Sequence, residues 1–182
     1  GNVYGLVPVC GGGSRETDAP HPAGEYAQSC LGRERLFEYH AQKNGTPVAL
    51  IRLNYACDLR YGVLVDIAQK VWRGEPVDVT MGHFNTIWQG DANALSLQFL
   101  EHAATPAWKI NLTGSATLQV RAVAEAMAQK FGRPLILTGQ EAPDALLSDS
   151  SLCRSLFASP SVPEADLIDW VASWVQNGGH LL

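Results

Sequence analysis

"GEYAQSCLGRERLFEYHAQKNGTPVALIRL", residues 24–53, is the stretch that decides the fold class. From Gly24 to about Lys43 no proline interrupts the chain, and Tyr26, Cys30, Arg33 and Phe37 recur on one stripe at helical spacing. Asn44-Gly45 is a stop signal. Thr46–Leu53 then runs apolar and aliphatic, the composition of a parallel strand covered on both faces. A helix, a stop and a buried strand in succession predict an α/β chain.

The alternation continues downstream. Tyr61–Trp72 repeats Val63, Leu64, Ile67, Ala68 and Val71 as a second helix, stopped by Arg73-Gly74. Pro76–Thr80 and Phe84–Trp88 read as brief strands, and Gly90–Ala103 as a third helix with Asp91 placed to cap it. Ala107–Leu112 is strand-like, Thr117–Phe131 is a fourth helix closed by Gly132, and Pro134–Thr138 is a further strand. Pro163–Gln176 is the last helix, with its proline in the first turn. The sum is an α/β fold with a largely parallel sheet and no repeat of fixed period. Upstream, residues 1–5 read like the exit of a buried strand with no strand in front, and residues 6–23, with three prolines and a Gly11–Gly13 run, carry loop chemistry.

At 182 residues the chain is one ordinary domain, and 46% apolar against 17% charged residues excludes disorder as its description. Thirteen basic against eighteen acidic residues give a net charge of -5 with no basic stripe, which argues against a nucleic-acid partner. No apolar run approaches the roughly 20 residues a membrane span needs, and no leader pattern opens the chain, so a soluble cytoplasmic protein without membrane contact is expected. Cys10, Cys30, Cys57 and Cys153 are scattered, without zinc-ligand spacing, which predicts four reduced thiols and no metal.

Several stretches, taken in order, resemble the later half of an extended short-chain dehydrogenase/reductase, the NAD-dependent epimerase/dehydratase family. "NVYG" at 2–5 is similar to the segment after that family's catalytic Ser/Thr, and "YAQSCLGRE" at 26–34 to its Tyr-x-x-x-Lys helix. "VALIRLNYA" at 48–56 resembles the next core strand and its exit, and "GVLVDIAQKVWRGEPVDV" at 62–79 the helix before the small substrate lobe. "NTIWQGDANALSLQFLEHA" at 85–103, "INLTG" at 110–114 and "LIDWVASWV" at 167–175 complete the order. The resemblance implies a C-terminal part of a Rossmann-like fold: residues 1–60 a remnant of the nucleotide-binding core and residues 61–182 a substrate lobe with returning core elements, together one domain. The family's Gly-rich phosphate fingerprint has no counterpart, because no G-x-G-x-x-G occurs and Gly11–Gly13 lacks the strand before it and the helix after it. The chain therefore reads as a portion of a parent enzyme, with an incomplete sheet whose apolar border is exposed or covered by a partner.

What the resemblance implies for chemistry centres on Tyr26. In the family the tyrosine moves a proton at a substrate hydroxyl, and a free phenol, titrating near about 10, must be tuned towards working pH to do so. A lysine four residues on stabilises the phenolate; Cys30 stands there instead and has no charge to lend. Tyr39-x-x-x-Lys43 repeats the motif as a surface pair near the helix end, and Arg33 is the nearer replacement cation.

By the same resemblance Tyr26, Asn54 and Tyr55 face the cofactor, NAD or NADP, in the parent protein, and Arg60, Tyr61 and His83 border a sugar-nucleotide pocket. Their alternatives are a buried aromatic for Tyr26, a small apolar residue for Cys30, a loop pair for Asn54 and Tyr55, and solvated surface residues for the other three. The leading expectation is the substrate side of an NAD-dependent sugar-nucleotide epimerase or dehydratase. Taken alone it is expected to turn nothing over and to bind no cofactor well, and its expected protein partner is a second copy or another chain paired along the exposed sheet edge. The alternative is a non-catalytic nucleotide- or sugar-binding protein of the same fold, which Cys30 favours. A thiol enzyme using Cys30 or Cys57 with a histidine is a third reading.

Overall fold

The computed structural model describes residues 3–182, so the first residue of "NVYG" lies outside the described residues. The chain begins with β1 (Val7–Pro8), a 3-10 turn at Val9–Gly11 and the long helix α1 (Gly24–Asn44). There follow β2 (Ala49–Leu53), β3 (Ala56–Cys57), α2 (Val63–Arg73), β4 (Val77–Asp78), β5 (His83–Phe84) and β6 (Ile87–Trp88). Next come α3 (Gln89–Gln98), which tightens into a 3-10 turn at Phe99–His102, then β7 (Trp108–Leu112), β8 (Leu118–Gln119) and α4 (Val120–Phe131). The remainder is β9 (Leu137–Thr138), β10 (Asp144–Ala145), α5 (Ser151–Leu156) and α6 (Glu164–Gln176). α1 and α2 end where expected because Gly45 (φ 65°) and Gly74 (φ 70°) take the left-handed conformation that turns the chain out of a helix. Pro163 stands just outside α6, at its cap, rather than in the first turn.

The strands pair two by two among the described residues. β2 runs parallel to β7 with Ile51 opposite Ile110, β3 parallel to β6, and β4 parallel to β9. β5 with β8 and β1 with β10 are antiparallel. The parallel share is as read from the apolar runs, but the sheet is broken into pairs. β1, β3, β10 and α5 have no counterpart among the elements expected from the sequence, and β8 takes the first residues of the stretch read as the fourth helix.

Two apolar cores hold the layers together. One joins α2, α4 and α6 through Leu64, Val71, Met127, Leu167 and Val171, all essentially removed from water. The other lies around β7 and α3, where Phe99, Ile110 and Leu112 meet Trp108 and Phe157. At about 25 cal/mol per Å² of apolar surface, each such side chain contributes roughly 1.5–3 kcal/mol.

The inward face of α1 differs from the expected stripe. Ala27, Cys30, Glu34 and Ala41 are buried, whereas Tyr26 and Phe37 face outward with 72% and 52% of their surface exposed, and Arg33 is exposed too. The helix is rolled because an ion pair, not an apolar row, docks it: Arg52 of β2 donates from Nη2 to Glu34 at 2.9 Å and from Nε at 3.1 Å. On the side of β2 away from β7 no further strand pairs among the described residues. Ile51 there is 37% exposed, and a groove of about 270 Å³ between α1 and β2 is lined by Cys30, Phe37, Leu50 and Ile51. The expected incomplete sheet with an apolar border is thus present.

Candidate active site

The C-terminal end of β2 and the N-terminal turn of α1 converge on a cavity of about 510 Å³. In open α/β sheets this end of a parallel strand is where ligands sit, because the chain leaves the sheet there and opens a crevice. Tyr26, Asn54 and Tyr55 all line this cavity, so three of the residues singled out in the sequence are brought together. Glu25 is the charged residue in its lining, and the described lining residues include no lysine or arginine. Tyr26 itself is 72% exposed.

Asn54 lines the cavity with its side chain engaged by neighbours. It is 3% exposed, and its side-chain amide donates to Asn85 Oδ1 at 2.6 Å and to the Leu146 carbonyl at 3.4 Å. Thr113 Oγ1 donates to its carbonyl at 2.9 Å. Tyr55 stands next to it with its ring partly in the open, and burial pushes its phenol above the ordinary tyrosine value. It also lines a second cavity of about 230 Å³, shared with Ile67, Lys70, Asp78, Phe84 and His83. His83 Nδ1 is buried there without a hydrogen-bond partner.

The other candidates lie elsewhere. Cys30 is 3% exposed, packs against Val3, Tyr4 and Leu31 and does not line the Tyr26 cavity. Arg33 lines the α1–β2 groove, not the Tyr26 cavity. Lys43 Nζ lies 5.6 Å from the Tyr39 ring centroid on the outer face of α1, the surface pair read from the sequence. Arg60 is engaged by Asp58, with Nε–Oδ1 3.0 Å and Nη2–Oδ2 3.1 Å, and Tyr61 donates to Gln89 Oε1. Neither Arg60 nor Tyr61 lines either cavity. Asp91 does not cap α3: two residues into that helix, its carboxylate accepts from Ser161 Oγ at 2.6 Å and Val162 N at 3.0 Å, tying α3 to the segment before α6. Burial pushes the Cys57 thiol up to about 12, which removes the thiolate a thiol enzyme needs. Among the described residues no cluster of metal-ligating side chains forms, and no helix is long and apolar enough to cross a membrane.

A buried polar hub beneath the cavity was missed in the sequence. Arg52 Nη1 donates to Tyr4 Oη at 2.6 Å, and Tyr4 donates in turn to Asn111 Oδ1 at 2.9 Å. Burial opposes the Arg52 charge, but its hydrogen bonds to Glu34 and Tyr4 more than offset that and raise its pKa. Asn111 Nδ2 donates to the Ser14 and Asp149 carbonyls at 2.9 and 3.1 Å, and Asn85 Nδ2 to the Ser148 carbonyl at 2.7 Å. The loop of residues 6–23 is thereby fastened to residues 143–149, with Asp149 N donating to Ser14 O at 2.8 Å. The glycine run serves that contact. A Cβ on Gly13, which has φ 95°, would lie 2.6 Å from the Ser148 carbonyl carbon. The one sequence signal was an asparagine inside the apolar run Ile110-Asn111-Leu112.

No protein-family model matches the sequence, and no curated protein matches it. Solved structures do. UDP-glucose 4-epimerase of Thermus thermophilus in complex with NAD superposes with TM-score 0.77 at 21% identity, over 98% of this chain and 61% of that one. UDP-glucuronic acid 4-epimerase of Bacillus cereus in complex with NAD gives 0.81 at 16% identity, over 97% and 59%. RMD of Pseudomonas aeruginosa complexed with NADPH gives 0.77 at 18%, over 95% and 63%. The chain spans about three-fifths of the length of these proteins. At such identities the likeness establishes the fold alone: the chain shares the Rossmann-like α/β fold of these structures.

Proposed function

We propose that this chain forms the substrate side of an NAD- or NADP-dependent sugar-nucleotide epimerase or dehydratase. The observation that carries the reading is the meeting of Tyr26 and Tyr55 in one cavity at the end of β2, within a fold shared with epimerases solved in complex with NAD. Tyr26 offers its phenol at the place where a sugar hydroxyl would exchange a proton. The second cavity, with Ile67 and Phe84 as apolar walls and Lys70 and His83 as polar groups, suits the nucleotide end of such a ligand.

The nicotinamide, when bound, supplies the hydride acceptor. The described residues fit that group poorly on their own: Gly13 is committed to the Ser148 backbone, and no cation lines the Tyr26 cavity. The chain alone is therefore expected to be inert in turnover. The uncovered edge of β2 and the apolar groove beside it are assigned, in the same reading, to pairing with a second polypeptide.

A second reading rests on Cys30: a binding protein of this fold that has lost its chemistry. Calorimetric titration separates the cases. Binding of UDP-glucose without micromolar NAD affinity is expected of the substrate side alone, whereas micromolar NAD binding by this chain overturns that assignment. Turnover of a UDP-sugar by the protein joined to a dinucleotide-binding partner supports the enzyme; its absence with both ligands bound supports the binding protein.

A further inference from the structure

We infer that Tyr55 is a strained partition that divides the ligand site into two chambers and thereby selects ligands made of two compact parts joined by a flexible link. The inference deepens the substrate reading above and rests on it for the nature of the ligand. Among the described residues Tyr55 is the residue other than glycine with positive φ, 48°. A side chain in that region crowds its own backbone, so glycine or asparagine is the ordinary occupant. The surroundings hold the conformation in place. Ile87 N donates to the Tyr55 carbonyl at 3.2 Å, Thr86 Oγ1 donates to the same oxygen, and Asn54 just before it is locked by Asn85. Strain kept in place by several independent contacts marks a position where the side chain's direction matters.

Tyr55 lines both the cavity containing Tyr26 and the one containing His83, which makes it the residue the two share, and the partition is inferred from that shared position. A rigid ligand cannot run straight from one to the other past the ring. A ligand with a head near Tyr26, a tail near His83 and rotatable bonds between them can bend around it. The phenol, raised by burial, stays protonated at neutral pH and can donate to an acceptor at the bend. Tyr55 is on this view a specificity-determining residue.

The test compares Tyr55→Gly, Tyr55→Ala and Tyr55→Phe in the whole chain. In denaturant titrations the glycine variant is expected to be at least as stable as the alanine variant, the reverse of the usual order, because only glycine releases the strained φ. In calorimetry with UDP-glucose and UDP-N-acetylglucosamine, glycine at this position is expected to change the ratio of the two affinities tenfold or more, while Tyr55→Phe leaves it within about twofold. An unchanged ratio in the glycine variant, or an alanine variant more stable than it, overturns the partition. Should the unaltered protein bind neither sugar nucleotide, the substrate reading falls, and the partition is then judged by a crystal structure of Tyr55→Gly. One continuous cavity upholds it and two separate ones overturn it.

Discussion

Cys30 shows why restoring one side chain does not restore a site. It stands four residues after Tyr26 but is 3% exposed, packed among Val3, Tyr4 and Leu31 beside the α1–β2 groove, so a lysine there would carry its ammonium into packed surroundings where Glu34 is already paired with Arg52. Burying an unpaired charge is costly. Cys30→Lys is expected to lower unfolding free energy by about 2 kcal/mol or more without creating NAD affinity, as read by chemical denaturation and calorimetry. The departure from the family pattern was legible in the sequence, and so was the helix; the direction of the side chain was not. That direction depends on the roll of α1, which Glu34 and Arg52 fix across 18 positions of chain. Asn54 was legible as a candidate at the end of β2, but its partners Asn85 and Leu146 were not, because they lie far along the sequence.

For the elements, the attachment of α1 to β2 is the point most open to measurement. Removing one member of a buried ion pair strands the other, so Glu34→Ala is expected to cost about 3 kcal/mol in denaturation. The double replacement Glu34→Leu with Arg52→Met should recover much of that loss, and a double-mutant cycle reads the coupling. At the other end of the polar hub, Asp149 accepts from Ser151 N at 2.8 Å at the start of α5 and pairs with Arg15 at 3.3 Å. Burial works against its charge, but these partners more than offset it and hold the carboxyl below its usual range. A depressed pKa means that the stabilisation is complete above the unfolded carboxylate value of about 3.9 and is lost as pH falls through the lower folded value. Asp149→Asn is therefore expected to cost about 1 kcal/mol near neutral pH, with the gap to the parent protein closing below about pH 4 in pH-dependent denaturation. Long helices were readable because periodicity and glycine stops agree. β1, β10 and α5 were not, since β1 contains a proline and β10 follows one, which reads as loop chemistry, and a six-residue helix carries too little pattern.

Across the whole molecule, Phe37 and Ile51 are exposed apolar residues lining the groove between α1 and β2, and Leu36 is exposed on the same helix. Exposed apolar area on this scale attracts dyes and other surfaces. The protein is expected to enhance 8-anilinonaphthalene-1-sulfonate fluorescence, and Leu36→Glu with Phe37→Glu to reduce it severalfold at unchanged circular dichroism. The fold class was legible from residues 24–53 because helix and strand periods switch cleanly there. The division of the sheet into separate pairs was not, since pairing partners are chosen in three dimensions.

The parallel pairing of β2 with β7 also sets a timetable for synthesis. Residues 49–53 meet their strand partner only after residues 108–112 have left the ribosome, a delay of roughly 3–12 seconds at 5–20 residues per second. During that interval a nascent chain carries an aliphatic segment with both flanks open, so early termination upstream of Trp108 should yield products that depend on chaperones to stay in solution.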